Sequence, residues 1–254
     1  MTLNERMNSR QLATISAMMI VGLVLATTAV AEPRPSDRET REFKVLLDGK
    51  ERGKCSMQVD RRDDGAETMH INARLNINFV VYEYRYSSVG TEVWKDDRLI
   101  EMENTSDFNG TKYVVKANST KRGLHVTVNG KTSPADPQAW ATSYWRLPQH
   151  VQMHDQTEEK GIIPAGGGRR ASKPVARAVS LLDSDKGQKL RGDVQRVGEE
   201  YLTVAGKKKP CLHYKIGGDV KVEVWYDSDL RLVRQETVES GHKTVLELTR
   251  ISGE

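Results

Sequence analysis

The stretch "ETMHINARLNINFVVYEYRYS", Glu67 to Ser87, decides the fold class. Met69, Ile71, Ala73, Leu75, Ile77 and Phe79 alternate with His70, Asn72, Arg74, Asn76 and Asn78. A period of two places every second side chain on one face of a strand, so this is a half-buried β-strand and not a helix. After Phe79 the phase switches, and Val80, Tyr82, Tyr84 and Tyr86 hold the even positions. A strand cannot change face without an extra residue, which predicts one long strand with a bulge or sharp bend between Phe79 and Val81. Such a break lets a long strand wrap around a curved sheet.

The same alternation extends in both directions. Upstream, "REFKVLLDGKERGKCSMQVDR" reads as two strands joined at Asp48-Gly49, and Arg61 to Gly65 forms the next turn. Downstream, Thr91 to Trp94 turns at Asp96-Asp97 and resumes from Leu99 to Phe108. Asn109-Gly110 and Asn129-Gly130 bracket strands at Tyr113–Ala117 and Leu124–Val128. Further strands are expected at Val179–Leu182, Leu190–Val197, Tyr201–Val204, Cys211–Ile216, Val220–Tyr226, Leu230–Arg234 and His242–Ile251. Two segments interrupt the pattern. Asp136-Pro137 has the chemistry of a helix N-cap and first turn, so "QAWATSYW" is expected to be one short helix ending at Leu147-Pro148. Residues 149–173, with Gly166 to Gly168, read as an irregular insertion. The fold class is therefore all-β: a strongly curved antiparallel sheet, half-barrel or open barrel, with one short helix as lid or plug.

Residues 1–31 stand apart. Arg6 and Arg10 precede the apolar run Leu12–Val30, and Ala29-Val30-Ala31 supplies a small-x-small cleavage pattern. They are expected to be a signal peptide, leaving a single β domain at 32–254 in the bacterial periplasm; the alternatives are secretion or an uncleaved N-terminal anchor. No later run is long enough to span a membrane. The formal charge is +4, falling to +3 once Glu5, Arg6 and Arg10 leave with the leader. Near-neutral charge without a basic stripe argues against nucleic acid, since Lys207-Lys208-Lys209 is only a hairpin tip. Cys55 and Cys211 sit in a compartment that permits a disulfide, but their strand phases point the sulfurs differently, and both outcomes stay open.

No catalytic constellation stands out. There is no Gly-x-Ser-x-Gly elbow, and Gly166 to Gly168 runs into Arg169-Arg170 and not into a phosphate cradle. The paired acids Asp63-Asp64, Asp96-Asp97, Asp227 and Asp229 fall at turns, where they favour chain reversal. His150 and His154 have a chelating spacing but lack the His-Glu-x-x-His arrangement, while His70, His125, His213 and His242 read as exposed strand residues. No metal and no cofactor is expected. Asn104, Asn109 and Asn118 begin Asn-x-Ser/Thr triplets, which matter only in a eukaryotic secretory product.

The aromatic residues have two readings. Tyr82, Tyr84 and Tyr86 line one strand face, Trp94 follows, and Trp140, Tyr144 and Trp145 lie on the expected helix. They form either a solid core or the lining of a pocket for an apolar ligand beneath a helical lid.

"HYKIGGDVKVEVWYDSDLRLVRQETVESGHKTVLELTRI" (His213–Ile251), with "SYW" at Ser143–Trp145, "LLDSDKGQ" at Leu181–Gln188 and a "LLDGKERG" hairpin at Leu46–Gly53, resembles an uncharacterised family of exported bacterial proteins. The 149–173 insertion and Arg146 depart from its pattern. Such proteins are distantly similar to the lipoprotein-localisation half-barrels, whose concave sheets hold acyl chains. That resemblance implies a fold and an apolar or lipid-like ligand, and carries no catalytic residue. The alternative is a non-enzymatic envelope scaffold with a solid core and a protein partner. In the "DSD" of Asp227–Asp229 the acids are expected because the chain must turn, and Trp225, opposite the valine face, is either covered or exposed to a partner.

Overall fold

In the computed structural model the described residues are 38–78, 83–152, 176–239 and 241–253. The expected signal peptide, the bend at Phe79–Val81, His154 and all of the insertion beyond Gln152 lie outside them. Among these residues fifteen strands form one sheet. They are β1 (Arg38–Leu47), β2 (Lys50–Arg61), β3 (Glu67–Asn78), β4 (Glu83–Lys95), β5 (Arg98–Phe108), β6 (Thr111–Thr120), β7 (Gly123–Val128) and β8 (Lys131–Ala135), then β9 (Trp140–Ala141), β10 (Arg177–Leu182), β11 (Lys189–Val204), β12 (Lys207–Gly218), β13 (Val222–Tyr226), β14 (Leu232–Glu239) and β15 (His242–Ser252).

Their order is β8-β7-β6-β5-β4-β3-β2-β1-β15-β14-β13-β12-β11-β10-β9, so two meanders meet where the first and last strands pair. Every neighbouring pair is antiparallel except β9 with β10, and the sheet is left open between β8 and β9. It is nonetheless strongly curled. Strands β4 and β10 are nine places apart, which would be about 40 Å across a flat sheet. Yet Asp185, just after β10, hydrogen-bonds Tyr86 and Ser88 of β4. Across the open seam, the Lys189 ammonium donates to Ser133 Oγ and the Pro134 carbonyl at 3.2 and 3.1 Å.

Turn chemistry sets the hairpins. Asp48-Gly49, Asn109-Gly110 and Asn129-Gly130 all have positive φ at both central positions, the geometry whose twist matches paired strands. Asp96-Asp97 and Ala205-Gly206 adopt it too, with φ of 50 and 59° and of 48 and 79°. The lysines 207–209 accordingly open β12 and do not form the tip.

Three expectations need correction. Residues 67–87 are not one bent strand: β3 and β4 are antiparallel partners, with Asn78 opposite Glu83, Ile77 opposite Tyr84 and Leu75 opposite Tyr86. Each pair joins an odd to an even position, so the reversal itself produces the phase change. Second, β11 is one 16-residue strand whose register shifts between Arg196 and Gly198, where the sequence suggested two. Third, the short helix does not form at 136–147. Asp136 does make the cap-like bond, accepting from the Gln138 amide at 2.8 Å, but Trp140 and Ala141 then pair with Leu181 and Leu182 and Tyr144 takes φ +48°. Propensity yields to tertiary packing here, and among the described residues the helical ones are 149–152. Among the described residues no helix is long and apolar enough to cross a membrane.

Candidate functional site

The inner face of the curl changes character along β4 and β5. At one end it presents Trp94, Leu99 and Met102, all buried. Further along, in the same inward phase, come Glu92, Ser88, Asn104 and Ser106, which are buried as well. Polar side chains in a core phase require partners. The β10–β11 loop supplies them. Asp185 Oδ2 accepts from the Tyr86 hydroxyl at 2.7 Å, and its Oδ1 accepts from Ser88 Oγ at 2.7 Å and Asn104 Nδ2 at 3.0 Å. Asn104 Nδ2 also reaches the Ser184 carbonyl, and Ser106 Oγ donates to the Asp185 carbonyl at 2.7 Å. The loop is self-braced, because the Asp183 carboxylate accepts from the amides of Asp185 and Lys186. Gly187, at φ +68°, seats it: a β-carbon there would lie 2.3 Å from Val128 Cγ2. The plug of this curled sheet is thus "LLDSDKGQ", not a helix.

Glu92 is 2% exposed. Its Oε2 accepts from the indoles of Trp94 and Trp145 at 2.9 and 3.0 Å. Burial pushes the carboxyls of both Glu92 and Asp185 above the ordinary range, against the pull of these donors. Beside them lies a cavity of about 240 Å³. Val45, Cys55, Met57, Leu75, Met102 and Leu246 make its apolar wall, while Ser88, Glu92, Asn104, Ser143, Ser184 and Asp185 make the polar one. Burial, reinforced by the Asp185 charge, raises the Cys55 thiol to about 12. Both cysteines are buried and free, so no disulfide joins them.

The segment 140–148 closes the end of the curl where the polar wall stops. Trp140 Nε1 donates to the Arg146 carbonyl at 3.0 Å, and the ring meets Tyr144 edge-on at 5.0 Å. The Arg146 guanidinium lies over Trp94 and Trp145, 5.2 and 5.6 Å from their centroids, and donates to Glu67 Oε2 at 2.9 Å. Asp97, on the β4–β5 turn, accepts from the Gln149 amide at 3.0 Å and lies 3.2 Å from His150 Nδ1. From the second meander, Tyr226 Oη of β13 donates to the Tyr144 carbonyl at 2.9 Å, and from β1 Arg41 Nη1 donates to the Trp145 carbonyl at 2.8 Å.

Asp227 is more than a turn residue. It is 1% exposed, its Oδ1 accepts from the amides of Asp229 and Arg231, and its Oδ2 accepts from Arg231 Nε at 3.0 Å. Arg231 Nη1 also donates to Glu39 Oε2 at 3.2 Å, and Glu39 in turn pairs with Arg41. Burial alone would raise the Glu39 carboxyl, but Arg41 and Arg231 overcome it and hold the group below its ordinary value. Trp225 proves to be covered on the outer side of the sheet. It stacks on His213 at 4.2 Å and 13°, donates to Glu200, and carries Arg234 over its ring at 5.7 Å. His213 is therefore buried between Glu200 and Glu223, contrary to its expected exposure.

Of the seven aromatic candidates, Tyr86 lines the cavity, and its hydroxyl anchors the plug. Trp94, Trp140, Tyr144 and Trp145 are each at most 2% exposed and pack into the core around segment 140–148, not onto the cavity wall. Tyr84 is half-buried on β4, and Tyr82 lies outside the described residues. Sequence reasoning passed over Ser88, Glu92, Asn104 and Asp185. The signal was available in "YSSVGTEVW", where small and acidic residues occupy the inward phase between Tyr86 and Trp94. Among the described residues no group of His, Cys, Asp or Glu is arranged to hold a metal ion.

The fold has a solved counterpart. The crystal structure of a β-barrel-like protein of the domain of unknown function DUF1849 from Brucella abortus matches 85% of this chain and 97% of its own, at 8% identity and a TM-score of 0.59. A putative exported protein with a YmcC-like fold from Bacteroides fragilis matches 84% of this chain and 95% of its own, at 11% identity and a TM-score of 0.29. No curated protein matches the sequence. At such identities the likeness to DUF1849 concerns the fold alone. A family model matches residues 43–249, nearly the whole sheet from β1 to β15, and the chain belongs to the family described as domain of unknown function DUF6134.

Proposed function

We propose that this domain is an exported binding or carrier module that holds an apolar or lipid-like ligand inside its curled sheet. The observation that carries this reading is the cavity of about 240 Å³ between the plug and strands β2 to β5, apolar on one side and hydrogen-bonding on the other. A void of about 150 Å³ lined by apolar side chains is enough for a benzene-sized guest, so this one suits a short chain or small ring system. One apolar wall facing a few convergent polar groups is the usual make-up of a small-molecule site. Export is supported by the basic, apolar and small-residue pattern of residues 1–31. Tyr86 is the aromatic candidate that would touch the ligand; Trp94, Trp140, Tyr144 and Trp145 would shape the site from behind.

The test is organic extraction of the purified protein followed by mass spectrometry, together with titration of a fluorescent fatty-acid probe. A stoichiometric co-purifying small molecule or saturable probe binding supports the reading. A clean extract with no saturable binding refutes it and favours an envelope scaffold, for which the solid aromatic packing around Trp94 and Trp145 is the supporting feature.

A further inference from the structure

We infer that the cavity selects a ligand with a cationic or hydrogen-bond-donating head, an alkyl amine above all, over an alkyl carboxylate. This rests on the proposal that the cavity binds an apolar guest, and it names the chemistry of the guest's polar end.

The cavity's ionisable groups are unevenly divided. Glu92 and Asp185 sit on its wall, and the cation among the lining residues, Arg74, is a solvent-exposed side chain on β3. The other polar side chains on the wall are neutral hydroxyls and amides, Tyr86, Ser88, Asn104 and Gln235 among them. The buried carboxylates are held by fixed donors, namely two indoles on Glu92 and the Tyr86, Ser88 and Asn104 side chains on Asp185. These donors come from strands and from the closing segment, so they cannot swing away to serve an incoming anion. A carboxylate guest would therefore bring negative charge beside two buried acids without a buried cation to meet it. An ammonium would do the opposite, offering its protons to acceptor positions on two acids that burial leaves poorly stabilised.

An alkyl alcohol also carries a donor for these acids, but without the charge complement, and should rank between the two ions.

The experiment is calorimetric titration of the purified domain with octylamine, octanol and octanoate at neutral pH, which holds the apolar part constant. Octylamine is expected to bind at least about tenfold tighter than octanoate, with octanol between them. In Asp185→Asn the amine's advantage over octanol, read as the ratio of the two affinities in the same variant, should shrink severalfold. If that variant does not fold, the wild-type ranking alone decides. Octanoate binding as tightly as octylamine, or more tightly, overturns the head-group inference and leaves the carrier reading standing. Failure of all three probes to bind overturns both.

Discussion

Replacing Arg231 with methionine should destabilise the domain far more than a surface ion pair would suggest. Among the described residues Arg231 pairs with the carboxylates of Glu39, Asp227 and Asp229. The Asp229 contact involves a side chain 63% exposed and is worth little, about 0–1 kcal/mol. The contacts with Asp227 and Glu39 are different, since those side chains are 1% and 5% exposed. Removing one partner of a buried pair typically costs ~3–5 kcal/mol, because a desolvated charge is left behind. Glu39 keeps Arg41, and Asp227 keeps two backbone amides, which places the expectation near the lower end, about 3 kcal/mol. For a domain of this size that lowers Tm by ~6–12 °C. The assay is thermal and urea unfolding followed by tryptophan fluorescence. Two further arms test the cause. Adding Asp227→Asn to Arg231→Met should restore ~1–2 kcal/mol, because it removes the stranded charge. The difference between wild type and Arg231→Met should also shrink in acid. Glu39 has a depressed pKa in the fold, so its stabilising share is present above its unfolded value of 4.5 and is lost as pH falls through its folded value. A Tm shift under about 2 °C at neutral pH, or a difference that widens in acid, would refute the reasoning.

Gly187→Ala should destabilise by about 2–4 kcal/mol, combining left-handed backbone strain with a β-carbon driven into Val128 and Val115. The check is urea unfolding, with Gly49→Ala as comparison, where the backbone strain is similar but no atom lies within 4 Å. Trp225→Ala should cost ~2–4 kcal/mol despite lying on the outer side of the sheet, because His213, Glu200 and Arg234 lose the ring they pack on. A loss under about 0.5 kcal/mol would mean the outer cluster is ornamental. The thiols should be inert in the native protein: burial raises Cys55 to about 12 and Cys211 to about 11, so neither is a thiolate at neutral pH. A thiol reagent should therefore find both cysteines in denaturant and neither in the folded state, and a rapid native reaction would contradict the burial.

The strands were readable because period-two alternation is a local signal, and turns such as Asn109-Gly110 advertise themselves through residues that tolerate positive φ. The reversal between β3 and β4 was not, since Phe79 to Tyr82 is a β-branched and aromatic run with no turn residue in it. Its parity switch looks the same whether a strand bulges or turns back. Helix chemistry at Asp136-Pro137 was equally real, and the structure uses the capping bond. What the sequence could not show is that Trp140 and Ala141 have strand partners 41 residues downstream, at Leu181 and Leu182. The candidate site suffered from the same blindness. Apolar residues in phase announce a core, but Ser88, Glu92 and Asn104 make sense only once Asp185 arrives from nine strands away across the curl.

Seen together, the stretches that resemble a family do one job. "LLDSDKGQ" is the plug, "SYW" lies in the segment that closes the end of the curl, and "VWYDSDLRL" fastens that segment to β1 through Tyr226, Arg231 and Glu39. An open sheet needs such fastening, because among the described residues no strand pairing joins β8 to β9. The sequence motifs are therefore where the curvature is maintained. The cavity is what that curvature leaves between the plug and the sheet, and its polar wall is built from the same residues that anchor the plug. On the proposed function, binding specificity and fold stability draw on one hydrogen-bond network, and a substitution at Asp185 will change both.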